Sequence, residues 1–168
     1  MDGQDDMFGE LVSTARMKMF AQARVKSAHC PCCDKHVKVY RRKFNSGMAV
    51  TMIYTYPVFR RYPGRYLDVL HYCTTTHEGY VPGEVGKLCW WGLMERKPED
   101  PKTGAKTTGL YRMTDKGLLF TERKIQIPGH AVEYMSNVES FSDDEIDIVQ
   151  ALGKHFNYHE LMRTPGIM

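Results

Sequence analysis

The stretches LMERK (93–97) and GLYRMTDKGLLF (109–120) decide how this chain folds. Between them PEDPKTGAKTTG (98–109) holds two prolines, two glycines and no apolar residue but Ala105. Such a run cannot contribute to a core, so it reads as the exposed loop of a hairpin whose strands are LMERK and GLYRMT. Thr114 then stands where a helix N-cap belongs, because its hydroxyl can accept an N–H of the first turn. The short helix it opens, DKGLLFTERK (115–124), carries Gly117, which weakens a helix interior.

Upstream, GEVGKLCWWG (83–92) puts Val85, Leu88, Cys89 and Trp91 on one helical face, with Gly92 able to close the helix in a left-handed cap. Residues 74–83 are turn-rich, and Tyr66, Leu67, Val69, Leu70 and Tyr72 mark a helix before them. Asn45-Ser46-Gly47 supplies N-cap chemistry for a helix MAVTMIYTY (48–56) that stops before Pro57. The alternative is one long helix over 36–56. In residues 7–26, Phe8, Leu11, Val12, Ala15, Met19 and Ala23 recur at spacings of three and four, the period of a helix with one buried stripe. Downstream, IQIPGHAVEYM (125–135) reads as extended, and Ser142 caps a final helix with Asp143, Asp144 and Glu145 in its first turn.

The order helix, helix, helix, strand, long polar loop, strand, helix over 46–124 resembles the winged helix-turn-helix. Met113-Thr114-Asp115-Lys116-Gly117 resembles the junction that follows the wing in MarR-type DNA-binding domains. More widely, CPCC (30–33), VKVYRRKFNSGMA (37–49), WWGLMERK (90–97) and HFNYHELM (155–162) make the chain similar to small bacteriophage proteins bearing a zinc knuckle and a winged helix. The resemblance implies an α+β, mainly α fold, with a recognition helix at 82–91 and a wing tip at 97–109. It implies phage origin and fold more than an activity. The expected organisation is an N-terminal helix (1–28), a zinc-knuckle-like segment (29–45), a winged-helix domain (46–135) and an acidic helical segment (136–168). One feature opposes base-specific reading. The expected recognition helix has one Lys, one Glu and no Arg, Asn or Gln, the residues that match base edges in the major groove. Trp90 and Trp91 there look more like core or a partner-binding surface.

The 168 residues are 42% hydrophobic, enough for one compact domain or two small ones. Mean hydropathy is −0.46 and no apolar run approaches the roughly 18–20 residues that span a bilayer, so no membrane association is expected. The opening MDGQDD has acids where a secretory signal carries basic and apolar residues, which fits a cytoplasmic protein, of the host cell if phage-encoded. The formal net charge of +3 hides an asymmetry. Residues 35–66 carry eight Lys+Arg and no acid, whereas residues 136–168 carry two against six. Within the basic block stand Lys35, Lys38, Arg41, Arg42, Lys43, Arg60, Arg61 and Arg65, interleaved with Tyr40, Tyr54, Tyr56, Tyr62 and Tyr66. On one face these would form a polyanion site, the cations on phosphates and the tyrosines against bases or sugars. Lys87 of the expected recognition helix and Lys102 and Lys106 of the wing extend the nucleic-acid-binding set. Pairing with acids inside the protein, or an acidic protein partner, are the competing readings.

Cys30-Pro31-Cys32-Cys33 holds a C-x-x-C whose outer thiolates can take two vertices of a zinc tetrahedron. His36, His71, Cys73 and His77 are the candidates for the other two, with Cys30, Cys33, His71 and Cys73 the expected set for a structural zinc. Buried thiols or a redox pair are the alternatives, the latter lacking a thioredoxin-like context. Cys32 and Cys89 read as bystanders. Phosphate-loop, dinucleotide, nucleophile-elbow and zinc-protease motifs are absent, and the seven histidines are dispersed, so no enzymatic activity is expected. The expected function is a DNA-binding regulator on double-stranded DNA. The alternative is a phage inhibitor of a host or defence protein, and the terminal helices are the expected elements of a homodimer.

Overall fold

A computed structural model describes residues 4–30, 33–104 and 109–163, with side chains from Val12 onward. The chain is mixed α/β, with six α-helices and small antiparallel sheets among the described residues. It divides into two compact units, Met1–Arg42 with His130–Phe141, and Lys43–Gly129 with Ser142–Met168. These units follow contacts made across the chain, whereas the expected boundaries at 28, 45 and 135 follow local composition.

The first unit opens with α1 (Gln4–Val25), then β1 (Ala28–His29) and β2 (His36–Val37), which pair with His29 opposite His36. β3 (Val39–Lys43), β8 (His130–Tyr134) and β9 (Asn137–Phe141) form a sheet in the order β3-β8-β9. The long helix over 36–56 is therefore excluded: its first half is two strands. The α1 stripe is only partly buried. Ala23 is 3% exposed, but Val12 is 56% exposed and Ala15 also faces solvent. Phe20 meets Tyr134 edge-on, ring centroids 5.0 Å apart.

The second unit is built on α2 (Ser46–Arg61), whose buried residues run from Met48 to Phe59. Asn45 caps it as the sequence implies, its Oδ1 accepting from the Met48 N–H at 3.0 Å. The helix does not stop at Pro57. An interior proline costs about 3 kcal/mol, but one more turn buries Phe59, a gain of roughly 1.5–3 kcal/mol, and brings Arg60 to 3.7 Å from Glu122. The remaining turn thus offsets the defect.

The expected helix at 66–72 divides into β4 (Leu67–Asp68) and α3 (Val69–Thr76), the latter capped by Asp68. The expected helix at 82–91 shrinks to a 3₁₀ turn, Val85–Cys89, entered through Glu84 at φ 56°. Two glycines and a proline weaken that helix, and the core draws in Leu88 and Trp91. Gly92 does take the left-handed conformation, at φ 68°. The hairpin follows as expected. β5 (Met94–Arg96) and β6 (Leu110–Met113) pair with Glu95 opposite Arg112, and β4 adds on the other side of β6 to give the order β4-β6-β5. Thr114 caps α4 (Asp115–Thr121), accepting from the Gly117 N–H at 3.0 Å and donating to the Gly92 carbonyl at 2.6 Å.

Past α4, β7 (Ile127–Pro128) pairs with β10 (Glu145–Ile146). This pairing claims the residues expected as the first turn of the last helix. That helix, α5 (Ile148–Leu152), starts later, in a capping box between Asp147 and Gln150, and a 3₁₀ turn (Gly153–His155) and α6 (Tyr158–Arg163) complete the unit. Its core centres on Phe44, whose ring meets Trp91 and Phe120 edge-on at 5.3 and 5.4 Å. All three are at most 2% exposed, and the Trp91 indole N–H donates to the Pro128 carbonyl at 2.7 Å. Trp91 is thus core, not a partner-binding surface.

Candidate nucleic-acid interface

In the first unit β3 is an edge strand, and its alternation sets Tyr40 and Arg42 on one face and Arg41 and Lys43 on the other. The Arg42 guanidinium lies 4.6 Å and the Lys38 ammonium 5.7 Å from the Tyr40 ring centroid. Arg42 also donates to Glu133 Oε2 at 2.6 Å, so an acid 91 residues away takes up one expected phosphate contact. Arg41 approaches His130 Nδ1 at 3.4 Å. Lysine and arginine on an edge strand also deter pairing with other chains, a structural role these residues fill without any ligand.

In the second unit the end of α2 and the turn after it carry Arg60, Arg61 and Arg65. Arg60 lies 3.7 Å from Glu122. That carboxylate also accepts from Tyr56 and Lys124, and these partners hold it below the usual carboxylate range, Lys124 contributing most. Burial first, then the Glu122 contact, pushes the Tyr56 hydroxyl up to about 12. Arg60 therefore belongs to an internal charge cluster. Arg61 and Arg65 lie differently, 5.5 and 5.6 Å from the exposed ring of Tyr62. Beside them Arg112 on β6 sits 5.2 Å from the Tyr66 ring and donates to Glu95, and a Cβ on Gly64 would stand 4.0 Å from its Nη1. Sequence reasoning missed Arg112, which lies in a charge-balanced segment; the alternation of GLYRMT, which turns it away from Tyr111 and Met113, was the available signal.

Lys87 is held by Glu84, one turn earlier, and lies 5.6 Å from the Trp90 ring. Lys102 is exposed in the hairpin loop, where its N–H donates to Asp100. Lys106 and Cys32 lie outside the described residues. The basic block is thus divided. Arg42 and Arg60 meet acids of the protein itself, as does Lys87 outside the block, while Arg61 and Arg65 lie against Tyr62, and Arg112 stands between the Tyr66 ring and Glu95.

Cys30 and Cys33 share the β1–β2 turn. The Cys30 N–H donates to the Lys35 carbonyl at 2.9 Å, the Asp34 N–H donates back to the Cys30 carbonyl at 2.8 Å, and Asp34 is left-handed at φ 56°. The structure does not bring His71 and Cys73 to one point. They lie two apart on α3, where neighbours at that spacing face different ways: His71 is exposed and Cys73 fully buried. Burial pushes the Cys73 thiol up to about 12, against the thiolate a metal requires. Among the described residues no three of His, Cys, Asp and Glu group to hold a metal ion. None of the described helices is long and apolar enough to cross a membrane.

No family model matches this chain, and no curated protein or solved structure matches it either.

Proposed function

We propose that the protein is a non-enzymatic binder of double-stranded DNA whose second unit is a winged helix that grips the phosphate backbone. The observation carrying this reading is the placing of Arg61 and Arg65 over one exposed tyrosine at the end of α2. Support also comes from the succession α2, β4, α3, 3₁₀ turn, β5, loop, β6 and its strand order β4-β6-β5, which follows the winged-helix order with a 3₁₀ turn in place of the recognition helix. The 3₁₀ turn has no base-matching side chain but Lys87, which Glu84 holds, so contacts position the protein rather than read sequence. A transcription regulator of phage type fits this reading. It includes a structural zinc held through Cys30 and Cys33, the residues that supply half of a tetrahedral site.

Binding of a labelled duplex across a salt series tests the proposal. Contact with about four phosphates would give a slope of roughly −3 to −4 in log affinity against log salt. The variant Arg61→Glu/Arg65→Glu should lose duplex binding while Arg60→Gln retains most of it. Unchanged binding in the double variant would sink the proposal.

A second reading, an inhibitor that binds a host or defence protein, is favoured by the apolar side chains α1 leaves in solvent: Met17 is 66% and Val25 91% exposed. Capture of a host protein that persists after nuclease treatment, by a chain that shows no duplex binding, would shift weight to it.

A further inference from the structure

The acidic segment at the end of the chain lines a cleft together with Arg123, which gives it two cations, Arg123 and Lys154. Arg123, Lys154, His155, Phe156, Tyr158 and His159 line it, and its volume is about 450 Å³. Small-molecule sites occupy roughly 300–1,000 Å³. Glu160 is the one carboxylate among its lining residues.

Two left-handed backbone positions place the cleft's two cations, Arg123 and Lys154. Gly153 at φ 70° swings the chain into the 3₁₀ turn that presents Lys154 and His155. Arg123 lies at φ 63°, a conformation disfavoured for a side chain of its size, and its N–H donates to the Phe120 carbonyl at 3.0 Å. Strained residues of this kind cluster at ligand sites. The Arg123 guanidinium stands 5.6 Å from the Tyr158 ring, which is anchored in turn by its hydroxyl donating to the Thr121 carbonyl at 2.8 Å. Asn157 Oδ1 accepts from the N–H groups of His159 and Glu160 at 3.0 and 3.3 Å, fixing the turn that carries Tyr158 and His159. Phe156 remains 42% exposed in a cleft with cations around it.

An exposed aromatic ring invites a planar partner, and fixed cations beside it invite an anion. We infer that this cleft binds a nucleoside monophosphate unit, its phosphate on Arg123 and Lys154 and its base against Phe156. The unit has two sources of the same chemistry, a free mononucleotide or the phosphorylated end of a single strand. This site shares no residue with the Tyr62 patch and does not depend on duplex binding.

Fluorescence anisotropy of labelled adenosine 5′-monophosphate with the full chain tests it. Saturable binding is expected, weakened about tenfold or more by Arg123→Gly, Lys154→Ala or Phe156→Ala. Arg123→Gly keeps the left-handed backbone, and Lys154 and Phe156 are exposed, so an unchanged melting temperature separates lost binding from lost folding. Displacement of the label by 5′-phosphorylated oligothymidylate at lower concentration than by unlabelled nucleotide assigns the site to strand ends; the reverse order assigns it to free nucleotide. No saturable binding, binding unchanged in all three variants, or phenyl phosphate displacing the label as well as the nucleotide does would overturn the inference.

Discussion

A methyl group on Gly117 would stand 2.2 Å from the carbonyl oxygen of Leu93 and 2.7 Å from Cγ of Met113. Helix α4 therefore crosses the start of β5 at a distance only glycine allows. Thr114 fastens the same crossing, its N–H donating to the Leu93 carbonyl at 3.0 Å.

Gly117→Ala sets two effects against each other. Alanine in a helix interior is favoured by about 1 kcal/mol, while forcing a methyl into a packed site costs typically 1–3 kcal/mol or more. The obstructing atom is backbone and cannot rotate away, so the clash wins. Urea unfolding should show a net loss of about 1–3 kcal/mol; a more stable variant would refute the packing described.

His77 gives the second unit a pH response. Its ring stacks on Tyr54 with centroids 3.6 Å apart, and its Nε2 is buried without a hydrogen-bond partner, as is the Tyr72 hydroxyl. Burial lowers the histidine from its ordinary 6.5, partly opposed by a hydrogen bond to the Tyr54 backbone. Above 6.5 neither folded nor unfolded chain carries this proton, and stability is complete. Below it the unfolded chain binds the proton first, so stability falls from there toward the lower folded value. The melting temperature should drop between pH 7 and 5, and His77→Gln should flatten that drop while lowering stability at pH 7. An equally steep drop in the variant would remove His77 as the cause.

The parts legible in the sequence are those governed by neighbours along the chain. The caps at Asn45 and Thr114, the Gly92 turn and the polar hairpin loop are decided within a few residues. What escaped the sequence depends on distant partners. β3 is a strand because β8, some ninety residues on, pairs with it, and Ile146 is a strand residue because Ile127 lies opposite. The β8–β9 turn uses Met135 and Ser136 at φ 49° and 66°, left-handed positions usually marked by Asn or Gly, so nothing local announces it. The site was legible in kind more than in membership. A cation-and-tyrosine block was visible, but the acids that claim Arg42 and Arg60 are Glu133 and Glu122, and no spacing rule points to them.

Glu122 contributes to the acid limb of stability. Held below the ordinary 4.5 by Lys124, Tyr56 and Arg60, it contributes stability that is present above 4.5 and lost as pH falls toward its lower folded value. Glu122→Gln should be less stable at pH 7 yet flatter below pH 4.5. Tyr56→Phe, which deletes the 2.8 Å bond to this carboxylate, should cost about 1.5–3 kcal/mol, the usual range for a hydrogen bond to a charged group. A Tyr56→Phe protein as stable as the parent would show that solvent replaces the bond.

The zinc proposal separates its residues cleanly. Cys30 and Cys33 share a hairpin turn whose backbone bonds fix its two arms, whereas His71 and Cys73 diverge on α3. Metal analysis of purified protein should find zinc, and Cys30→Ser or Cys33→Ser should abolish it, since serine supplies no thiolate. His71→Ala should leave the zinc content unchanged. Cys73→Ser should destabilise the second unit, because it buries a hydroxyl where a thiol sits at 0% exposure, yet the folded fraction should keep its metal. Loss of zinc from folded Cys73→Ser protein would instead place that thiol among the ligands, and zinc at background level in the parent chain would end the proposal.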